Sequence, residues 1–277
     1  MQEKGGNMVT DWNALEAVIT EAEASGCEVG VAIIGPDDVR FDHRGDDVFP
    51  SASSIKIAIM IELFRKIDRG EVSLADEYAL KAEDKAPGSG VLQQLHDGIR
   101  ITIGDVVYLM ISISDNPATN ILINLVGMEN VNATMRELGM EKSILGRTMQ
   151  GRLALETEQE NQATPNEFAL MVQRILDREA ASEASCDQMI ALLEKQQNGR
   201  RIGRYVPEND GVRWGSKTGS YKTVANDVGF VMTDAGTLIV SVFTSNLPDM
   251  VTGEKIIGDV TRAAMSATGM VEPLQAS

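Results

Sequence analysis

The sequence predicts an α/β protein in which one antiparallel sheet, flanked by the terminal helices, is joined to an all-helical lobe. β-rich segments occur towards both ends of the chain, while helical patterns fill the middle and also lie outside the β-rich segments. Because a sheet or helix that buries one face needs a partner layer, we expect the β-rich segments from both ends to share one sheet. This gives a discontinuous α/β lobe, residues 9–52 and 205–270, and an all-helical lobe, residues 53–204.

The N-terminal part predicts a helix followed by a β-hairpin and then a buried helix. Apolar residues recur at helical spacing over residues 9–24, and β-branched residues are frequent in residues 27–34 and 39–43. The Gly-Pro-Asp-Asp sequence at 35–38 is typical of a turn between two strands. The run at 55–67 is apolar almost all round, which predicts a helix in the middle of the protein.

The middle of the chain, residues 72–198, is expected to be entirely helical with long loops. Thr102 and Thr164 each begin a capping-box sequence, with an acidic residue three positions later, and both therefore predict helix starts. Residues 142–162 have no clean period and predict a long ordered loop.

The C-terminal part returns to β-rich patterns before a last helix. Residues 212–217, 227–233 and 237–244 alternate or are β-branched, which predicts three antiparallel strands. An amphipathic pattern at 252–265 predicts the closing helix.

The composition argues against several classes of partner and cofactor. The 277 residues carry a formal net charge of −16, which is unfavourable for binding nucleic acid or anionic membranes. With no run of about 18 apolar residues and no apolar segment near the N-terminus, the chain as written is expected to be cytoplasmic, or periplasmic or secreted if a signal was removed. Cys27 and Cys186 are expected to be buried free thiols, and no Cys/His cluster predicts a metal site.

The first stretch that suggests chemistry is Ser53-Ser-Ile-Lys56, at the start of the buried helix. Residues three positions apart on a helix share a face, so the Ser53 hydroxyl and the Lys56 amine are expected to be neighbours. Burial favours the neutral form of a lysine, which can then take the proton of a hydroxyl and make it a nucleophile. The alternative is a helix-capping serine followed by a lysine that extends its amine to the surface.

Two further stretches carry groups that suit the same chemistry. Ser114 and Asn116 belong to a Ser-Asp-Asn sequence between two helices, where a serine can relay a proton to a leaving nitrogen and an asparagine can bind an amide. Lys217, at the end of a predicted strand, supplies positive charge. The backbone N–H of Ser220 can join that of Ser53 in an oxyanion hole. The alternative is a capped loop and a strand end with a solvated lysine.

Taken in order, Ser-x-x-Lys at 53–56, Ser-Asp-Asn at 114–116 and Lys-Thr-Gly at 217–219 resemble the motifs of class A β-lactamases and penicillin-binding proteins. The resemblance covers most of the chain and includes Phe49-Pro50, Gly88-Ser89-Gly90-Val91-Leu92-Gln93, Ala118-Thr119-Asn120, Thr164-Pro165 and Asn226-Asp227. It implies a β-lactamase/transpeptidase-like α/β fold and a serine hydrolase that needs no metal or organic cofactor.

The resemblance also implies a role for each site residue. Ser53 is the nucleophile, Lys56 is its base or base partner, and Ser114 passes a proton to the leaving nitrogen. Substrate-binding roles fall to the remaining site residues, namely Asn116 for the acyl side-chain amide and Lys217, Thr218 and Ser220 for the carboxylate. The backbone N–H groups of Ser53 and Ser220 form the oxyanion hole.

One segment departs from the family pattern. Class A β-lactamases carry Arg-x-Glu-x-x-Leu-Asn in the loop before the Thr-Pro helix, and the glutamate activates the water that frees the acyl-enzyme. Here Arg147 matches the arginine, Met149 stands at the glutamate position, and no Leu-Asn follows. Glu156, Glu158 and Glu160 lie further along, where a solvated acidic loop is the simpler interpretation.

We therefore predict a class A-like β-lactamase that forms an acyl-enzyme at Ser53 and deacylates weakly. The alternative is a penicillin-binding-protein-like D-amino-acid peptidase, esterase or acyl transferase, and a third hypothesis is a non-catalytic module that senses lactams or peptides. The expected ligand is a small β-lactam, a D-amino-acid-containing peptide or an ester, with no nucleic acid or membrane partner.

Overall fold

The structure is a computed structural model that describes residues 10–271, and it is built around a five-stranded sheet. The strands are, in chain order, β1 (Glu28–Ile34), β2 (Arg40–His43), β3 (Phe49–Pro50), β4 (Glu77–Ala79), β5 (Arg100–Thr102), β6 (Gln162–Ala163), β7 (Arg213–Tyr221), β8 (Val224–Thr233) and β9 (Gly236–Ser245). The sheet has the order β2-β1-β9-β8-β7, and every neighbouring pair is antiparallel. Strands from the two ends of the chain therefore share one sheet, as predicted.

Helices cover both faces of this sheet. They are, in chain order, α1 (Asn13–Ala24), α2 (Lys56–Asp68), α3 (Ile103–Ser112), α4 (Asn116–Val126), α5 (Met128–Glu137), α6 (Pro165–Leu176), α7 (Glu183–Leu193) and α8 (Met250–Ala267). The terminal helices α1 and α8 contact each other on one face, whereas α6 and α7 pack against strands from the other face.

The sheet separates two hydrophobic clusters, because alternate residues of a strand point to opposite faces. Phe230 and Phe243 belong to the cluster shared with α2–α7, whereas Val231 and Val242 belong to the cluster shared with the terminal helices. Strands β8 and β9 are thus covered on both faces, which explains why long parts of their sequences are apolar without alternation.

Helix α2 lies at the centre of the helical part and contacts α3, α4, α5 and α7. Its first residues, from Lys56 to Phe64, are all buried. Each fully buried aliphatic or aromatic side chain there contributes about 1.5–3 kcal/mol to the free energy of folding. A lysine at the head of such a helix is exceptional, because charged side chains are almost never fully buried unless they are paired.

Three predicted details are wrong. The middle of the chain is not entirely helical, since β4 pairs with β5 and β6 pairs with β3 in strands too short to show a period. Strand β7 extends to Tyr221, so Lys217 lies within a strand rather than at its end, because the polar Lys-Thr-Gly-Ser sequence hides the alternation. A 3₁₀ turn, Ala52–Ile55, precedes α2, so Ser53 lies in that turn and not in the helix itself.

Other predicted details are confirmed. Thr102 Oγ1 accepts a hydrogen bond from the Asp105 backbone and the Asp105 carboxylate accepts one from the Thr102 backbone, which completes a capping box. Thr164 Oγ1 caps α6 by accepting from the Glu167 backbone, but the Glu167 carboxylate binds the backbone of residues 141–143 and does not return the bond. The loop at 142–162 is ordered by its contacts, including a bridge between Ile144 and Gln162.

Some predictions concern the chain as a whole. Cys27 and Cys186 are buried free thiols, as expected. In the part of the chain from 10 to 271, no helix is long and apolar enough to cross a membrane. The predicted start of the first helix at Val9 lies outside the described residues, and the lobe boundaries given above stay a prediction.

Candidate active site

The predicted nucleophile, Ser53, lies in the 3₁₀ turn at the entrance to α2. Ala52, just before it, has a φ of 46°, in the left-handed region that residues other than glycine rarely adopt. The Ser54 hydroxyl donates a 2.6 Å hydrogen bond to the Ser51 carbonyl and closes the turn from behind. Ser53 is half-buried and lines a cleft, whereas its neighbours in the turn are buried. The turn therefore directs this one serine towards the cleft.

Strand β7 approaches this turn closely because Gly219 has no side chain. A Cβ at Gly219 would lie 2.7 Å from the Ser51 carbonyl oxygen and 3.1 Å from the Ser53 nitrogen. On the next strand, Asn226 Nδ2 donates to the carbonyls of Pro50 (2.8 Å) and Ser51 (3.1 Å), which holds the turn against the sheet. The glycine of the Lys-Thr-Gly sequence is thus needed for the contact between protein segments, in addition to any approach of a substrate.

The predicted oxyanion hole depends on this contact. Strand β7 is at the edge of the sheet, and an edge strand keeps a row of backbone groups unpaired by any neighbouring strand. The turn that holds Ser53 lies against that edge, next to Ser220. The assignment of their backbone N–H groups to an oxyanion hole stays a prediction.

Lys56 is wholly buried, and its amine reaches the segment that follows α3. Nζ donates to the carbonyl oxygen of Ser114 (2.7 Å), to Ser114 Oγ (3.1 Å) and to Asn116 Oδ1 (3.0 Å). Within the described chain, none of the Lys56 hydrogen bonds is made with Ser53. The structure thus brings Lys56 and the Ser-Asp-Asn segment into direct contact, while Ser53 lines the same cleft.

The surroundings of Lys56 favour its neutral form. Burial, together with the nearby charge of Lys217, holds the pKa of Lys56 well below its usual range, against the opposing influence of Asp115. A neutral amine can accept a proton, which an ammonium group cannot do. Lys56 is therefore in a suitable state to act as a base.

Ser114 is held in an unusual backbone conformation beside this amine. Its φ is 60°, again in the left-handed region. The buried carboxylate of Asp115 secures it by accepting hydrogen bonds from the backbones of Ala118 (2.9 Å), Val91 (2.6 Å) and Leu92 (3.0 Å). One carboxylate thereby caps α4 and ties the glycine-rich loop around residue 90 to the site.

Asn116 is almost fully buried and already engaged. Besides accepting from Lys56, its side chain donates from Nδ2 to the Pro87 carbonyl (2.8 Å), and its backbone N–H donates to the Ser89 carbonyl (2.9 Å). An amide nitrogen has two N–H donors, so one remains for a ligand. Binding of a substrate amide by Asn116 stays a prediction.

Lys217 is the second wholly buried lysine of the site. Its Nζ donates a 2.8 Å hydrogen bond to the Thr218 carbonyl. Burial lowers the pKa of Lys217 to about 7, with Asp227 opposing the shift and Arg201 adding to it. This lysine therefore changes its charge near neutral pH, so its attraction for an anion depends on pH in that range.

Sequence reasoning missed Arg201, whose buried guanidinium lies behind the Lys-Thr-Gly segment. Nη1 donates to the carbonyls of Gly219 (2.8 Å) and Asn226 (2.7 Å), and Nη2 donates to Ser220 Oγ (2.6 Å). Arg201 therefore fixes both the strand edge and the hydroxyl of a predicted substrate-binding residue. Its sequence context, Arg200-Arg201 in a loop without a period, contains no signal for this role.

Asn120 holds the backbone of Met149 in place, and the match of Met149 to the family's glutamate position stays a prediction. The Met149 backbone N–H donates to Asn120 Oδ1 (2.8 Å), and Asn120 Nδ2 donates to the Met149 carbonyl (3.1 Å). The Met149 side chain is 4% exposed and packs into the cluster of the helical lobe. Because a thioether is at most a weak hydrogen-bond acceptor, this position offers no proton acceptor.

The glutamates of the same loop are engaged elsewhere. Arg152 binds both carboxylate oxygens of Glu158 at 2.7 and 2.8 Å, and these bonds lower the pKa of Glu158 to about 2. Arg147 binds both carboxylate oxygens of Glu160 at 3.2 Å. Glu156 is exposed, and none of the three glutamates lines the cleft.

Four of the predicted site residues, Ser53, Ser114, Thr218 and Ser220, line one cleft of about 430 Å³. The other three, Lys56, Asn116 and Lys217, are buried and do not belong to its lining. The residues that line it are Ser53, Ser89, Ser112, Ile113, Ser114, Gln196, Gln197, Asn198, Arg200, Thr218, Ser220 and Glu254. Over residues 10–271, no group of three or more His, Cys, Asp or Glu side chains is placed to hold a metal ion.

Known proteins resemble this chain in sequence and in fold. The chain matches the model of the β-lactamase enzyme family over residues 12–268. It is 56% identical to the β-lactamase from Sphaerobacter thermophilus DSM 20745, whose crystal structure matches with a TM-score of 0.95 over 95% of this chain and 100% of that chain.

More distant proteins extend the comparison. The β-lactamase BRO-1 of Moraxella catarrhalis is 26% identical over 213 residues, which cover 74% of this chain and 66% of that protein. The match thus spans slightly less than two thirds of the length of this curated relative. A structure of PBP-A, at 23% identity, matches with a TM-score of 0.84 over 94% of this chain and 97% of that chain, which shows a common fold.

Proposed function

Because this chain belongs to the β-lactamase enzyme family, we propose that it is a serine hydrolase that opens β-lactam rings through an acyl-enzyme at Ser53 and releases the acyl group slowly. The observation that carries this proposal is the state of Lys56. Its amine is buried, has a lowered pKa and is hydrogen-bonded to Ser114 beside a cleft that Ser53 lines.

Acylation follows from these groups in two proton transfers. The Ser53 hydroxyl attacks the lactam carbonyl carbon while its proton passes to Lys56 Nζ, directly or through a water molecule. When the ring C–N bond breaks, the nitrogen takes the Ser114 hydroxyl proton, and Lys56 returns its extra proton to Ser114 across their 3.1 Å hydrogen bond. The acyl-enzyme then has Lys56 neutral and Ser114 protonated again.

Deacylation needs a water molecule and a base, and none of the loop's glutamates lines the cleft. Met149 has no proton acceptor, and the lowered pKa of Glu158 makes it a weak base. Burial and the charge of Glu160 raise the pKa of nearby Tyr221 to about 12, so its hydroxyl stays protonated at neutral pH. We therefore infer that hydrolysis of the acyl-enzyme limits turnover.

A second candidate function follows from the same observation. A long-lived acyl-enzyme is open to attack by amines and alcohols, so the protein would act as a penicillin-binding-protein-like acyl transferase, peptidase or esterase on D-amino-acid peptides or esters. An amine attacks through its own nitrogen lone pair, is a stronger nucleophile than water, and so depends less on a base in the loop.

The test is rapid-mixing kinetics with the chromogenic cephalosporin nitrocefin, combined with intact-mass measurement of the protein. We expect a burst of one product per enzyme, a mass increase equal to the acyl group, and then slow turnover. Rapid turnover without a burst would contradict slow deacylation, and the absence of both product and adduct would contradict the acyl-enzyme.

Added amines distinguish the two candidate functions. For the second candidate, glycine or a D-amino acid should speed the slow phase in proportion to its concentration and yield an amide product. If only water consumes the adduct at every amine concentration, the protein is a slow β-lactamase and not a transferase.

A further inference from the structure

Glu254 is the one carboxylate among the described residues that line the cleft, and the proposed chemistry does not use it. It lies on the first part of α8 and is 8% exposed, and the exposed part belongs to the cleft lining. No hydrogen bond or ion pair joins its side chain to another residue between 10 and 271. Arg201 and Arg204 act on this carboxylate through their charges but donate no hydrogen bond to it. A carboxylate without hydrogen-bond partners is costly to bury, so its presence at a binding cleft points to a ligand.

Arg201 connects Ser220 with the turn of α8 that precedes Glu254. The Arg201 Nη2 atom lies 2.6 Å from Ser220 Oγ and 3.3 Å from the sulfur of Met250. Glu254 is four residues after Met250, so both share one face of α8. Arg201 thus contacts both Ser220 and the turn of α8 before Glu254, and Ser220 and Glu254 line the same cleft.

In a cephalosporin, the carboxylate is attached to the ring atom next to the one that carries the 3-substituent. If Lys217, Thr218 and Ser220 hold that carboxylate, the 3-substituent lies next to it in the cleft that Glu254 also lines. Carboxamide side chains belong to the same lining, and we call Gln196, Gln197, Asn198, Arg200 and Glu254 together the distal wall.

Three arginines lie near Glu254, but none of them is hydrogen-bonded to it. The N–H groups of Arg201 are directed at two carbonyls, a hydroxyl and a sulfur, and its charge interacts with those of Asp227 and Glu254. Arg200 is exposed, so water screens its charge. Arg204 interacts with Glu254 only at a distance.

We propose that Glu254 makes the distal wall a cation subsite, which favours substrates whose leaving side carries an ammonium or pyridinium group next to the carboxylate. The inference rests on the proposed acylation of Ser53. It adds a preference between substrates that share one acyl group and differ in the 3-substituent. The 3-substituent and the acyl group lie on opposite sides of the ring C–N bond that breaks.

The test compares two cephalosporins with the same acyl side chain, one with a cationic pyridiniomethyl group at the 3-position and one with a neutral acetoxymethyl group. For each variant, rapid mixing measures the second-order rate constant of acylation, and the ratio of cationic to neutral is compared with the ratio for the unaltered protein. The ratio cancels effects on Ser53 itself.

Glu254→Gln, which removes the charge but keeps the size, should lower the ratio about three- to tenfold. Glu254→Asp keeps the charge and should retain most of the ratio, which controls for altered packing of α8. Arg200→Gln removes the exposed positive charge of the distal wall and should raise the ratio.

Either of two results would overturn the proposed cation subsite. An unchanged ratio in Glu254→Gln shows that Glu254 does not meet the substituent, and a fall of the ratio in Arg200→Gln shows that the wall recognises something other than a cation. These results differ from failure of the proposed function, in which neither cephalosporin acylates the unaltered protein.

Discussion

The acylation side of the cleft and the loop around Met149 both contain buried polar groups, but only the first keeps them available for chemistry. Around Lys56, burial lowers the pKa of the amine, which is hydrogen-bonded to a serine that can exchange a proton with it. In the loop, Glu158 and Glu160 form ion pairs with Arg152 and Arg147 that stabilise the loop itself.

The difference shows that the pKa values and the bonding partners of the side chains decide whether they are available for chemistry, and that the number of ionisable side chains does not. The loop has three glutamates, yet two are already paired with arginines, the third is exposed, and Met149, which is tied to α4 through Asn120, has only a thioether. The acylation side has few ionisable groups, but burial lowers the pKa of both lysines. The acylation side is thus suited to form the acyl-enzyme ester, and the loop is poorly suited to hydrolyse it.

The largest expected effect is on the acylation side. Ser53→Ala should abolish covalent labelling by penicillin in intact-mass spectra, because Ser53 supplies the only hydroxyl at the strained turn that faces the cleft. Ser89→Ala, which removes another serine that lines the cleft, should keep labelling. A persistent adduct on Ser53→Ala would assign the nucleophile elsewhere.

Lys56→Ala should slow acylation by about 10²–10⁴, the usual contribution of a general base. Single-turnover kinetics should place the loss in the burst phase. Lys56→Arg is the matched control, because a guanidinium keeps the positive charge but does not give up its proton. Rapid acylation by Lys56→Arg would mean that Lys56 contributes charge rather than proton transfer.

Met149→Glu would add a basic group to the loop and so make the loop more like the acylation side of the cleft. We expect the slow phase to accelerate by about 10²-fold, the lower end of general-base contributions, because a carboxylate is introduced at the position tied to Asn120. Met149→Gln, of similar size but without a basic group, should leave the slow phase close to its original rate. Equal acceleration in both variants would attribute the effect to space for water and not to a base.

A pH profile tests Lys217. Since its pKa is lowered to about 7, Lys217 is charged below that pH and becomes neutral above it. The kcat/KM for a carboxylate-bearing penicillin, divided by that for a neutral p-nitrophenyl ester, should fall above the pKa, by up to about tenfold per pH unit. Lys217→Ala should raise KM mainly for the penicillin, and Lys217→Arg should remove the fall. A flat ratio in the unaltered protein would show that Lys217 does not bind the carboxylate.

The smallest effects are expected in the loop. Glu158→Gln and Glu160→Gln should change the acyl-enzyme lifetime by no more than about twofold, because both carboxylates are committed to arginines. Their melting temperatures should fall slightly, since each loses one partly exposed ion pair. Accumulation of a stable acyl-enzyme in either variant would identify a deacylation base that this loop conformation does not present.

Much of the site could be predicted because its chemistry is encoded in short, local patterns. Serine and lysine three residues apart before an apolar run indicate the start of a buried helix, and the capping residues Thr102 and Thr164 locate two other helix starts. The match of Met149 to the family's glutamate position was counted back from Thr164 and stays a prediction. These signals depend only on neighbours in sequence.

Residues that act across the fold left no such signal. Arg201 reaches Ser220 and Asn226, which are far from it in sequence but adjacent in the sheet. Asn120 was noticed only as part of a resemblance, although it holds the backbone of Met149. The contact of Gly219 with the Ser53 turn likewise appears only when the strand edge and the turn are placed together.

The sequence by itself determined the α/β class, the order of the elements, the three motifs and the absence of a glutamate at position 149. Local propensity, periodicity and capping need no partner, so one chain is enough to show them. Only the tertiary structure decided the charge states of Lys56 and Lys217, the engagement of Glu158 and Glu160, and the exposure of Glu254 to the cleft. These depend on burial and on partners distant in sequence, because the energy of a charge is set by the groups that surround it in space.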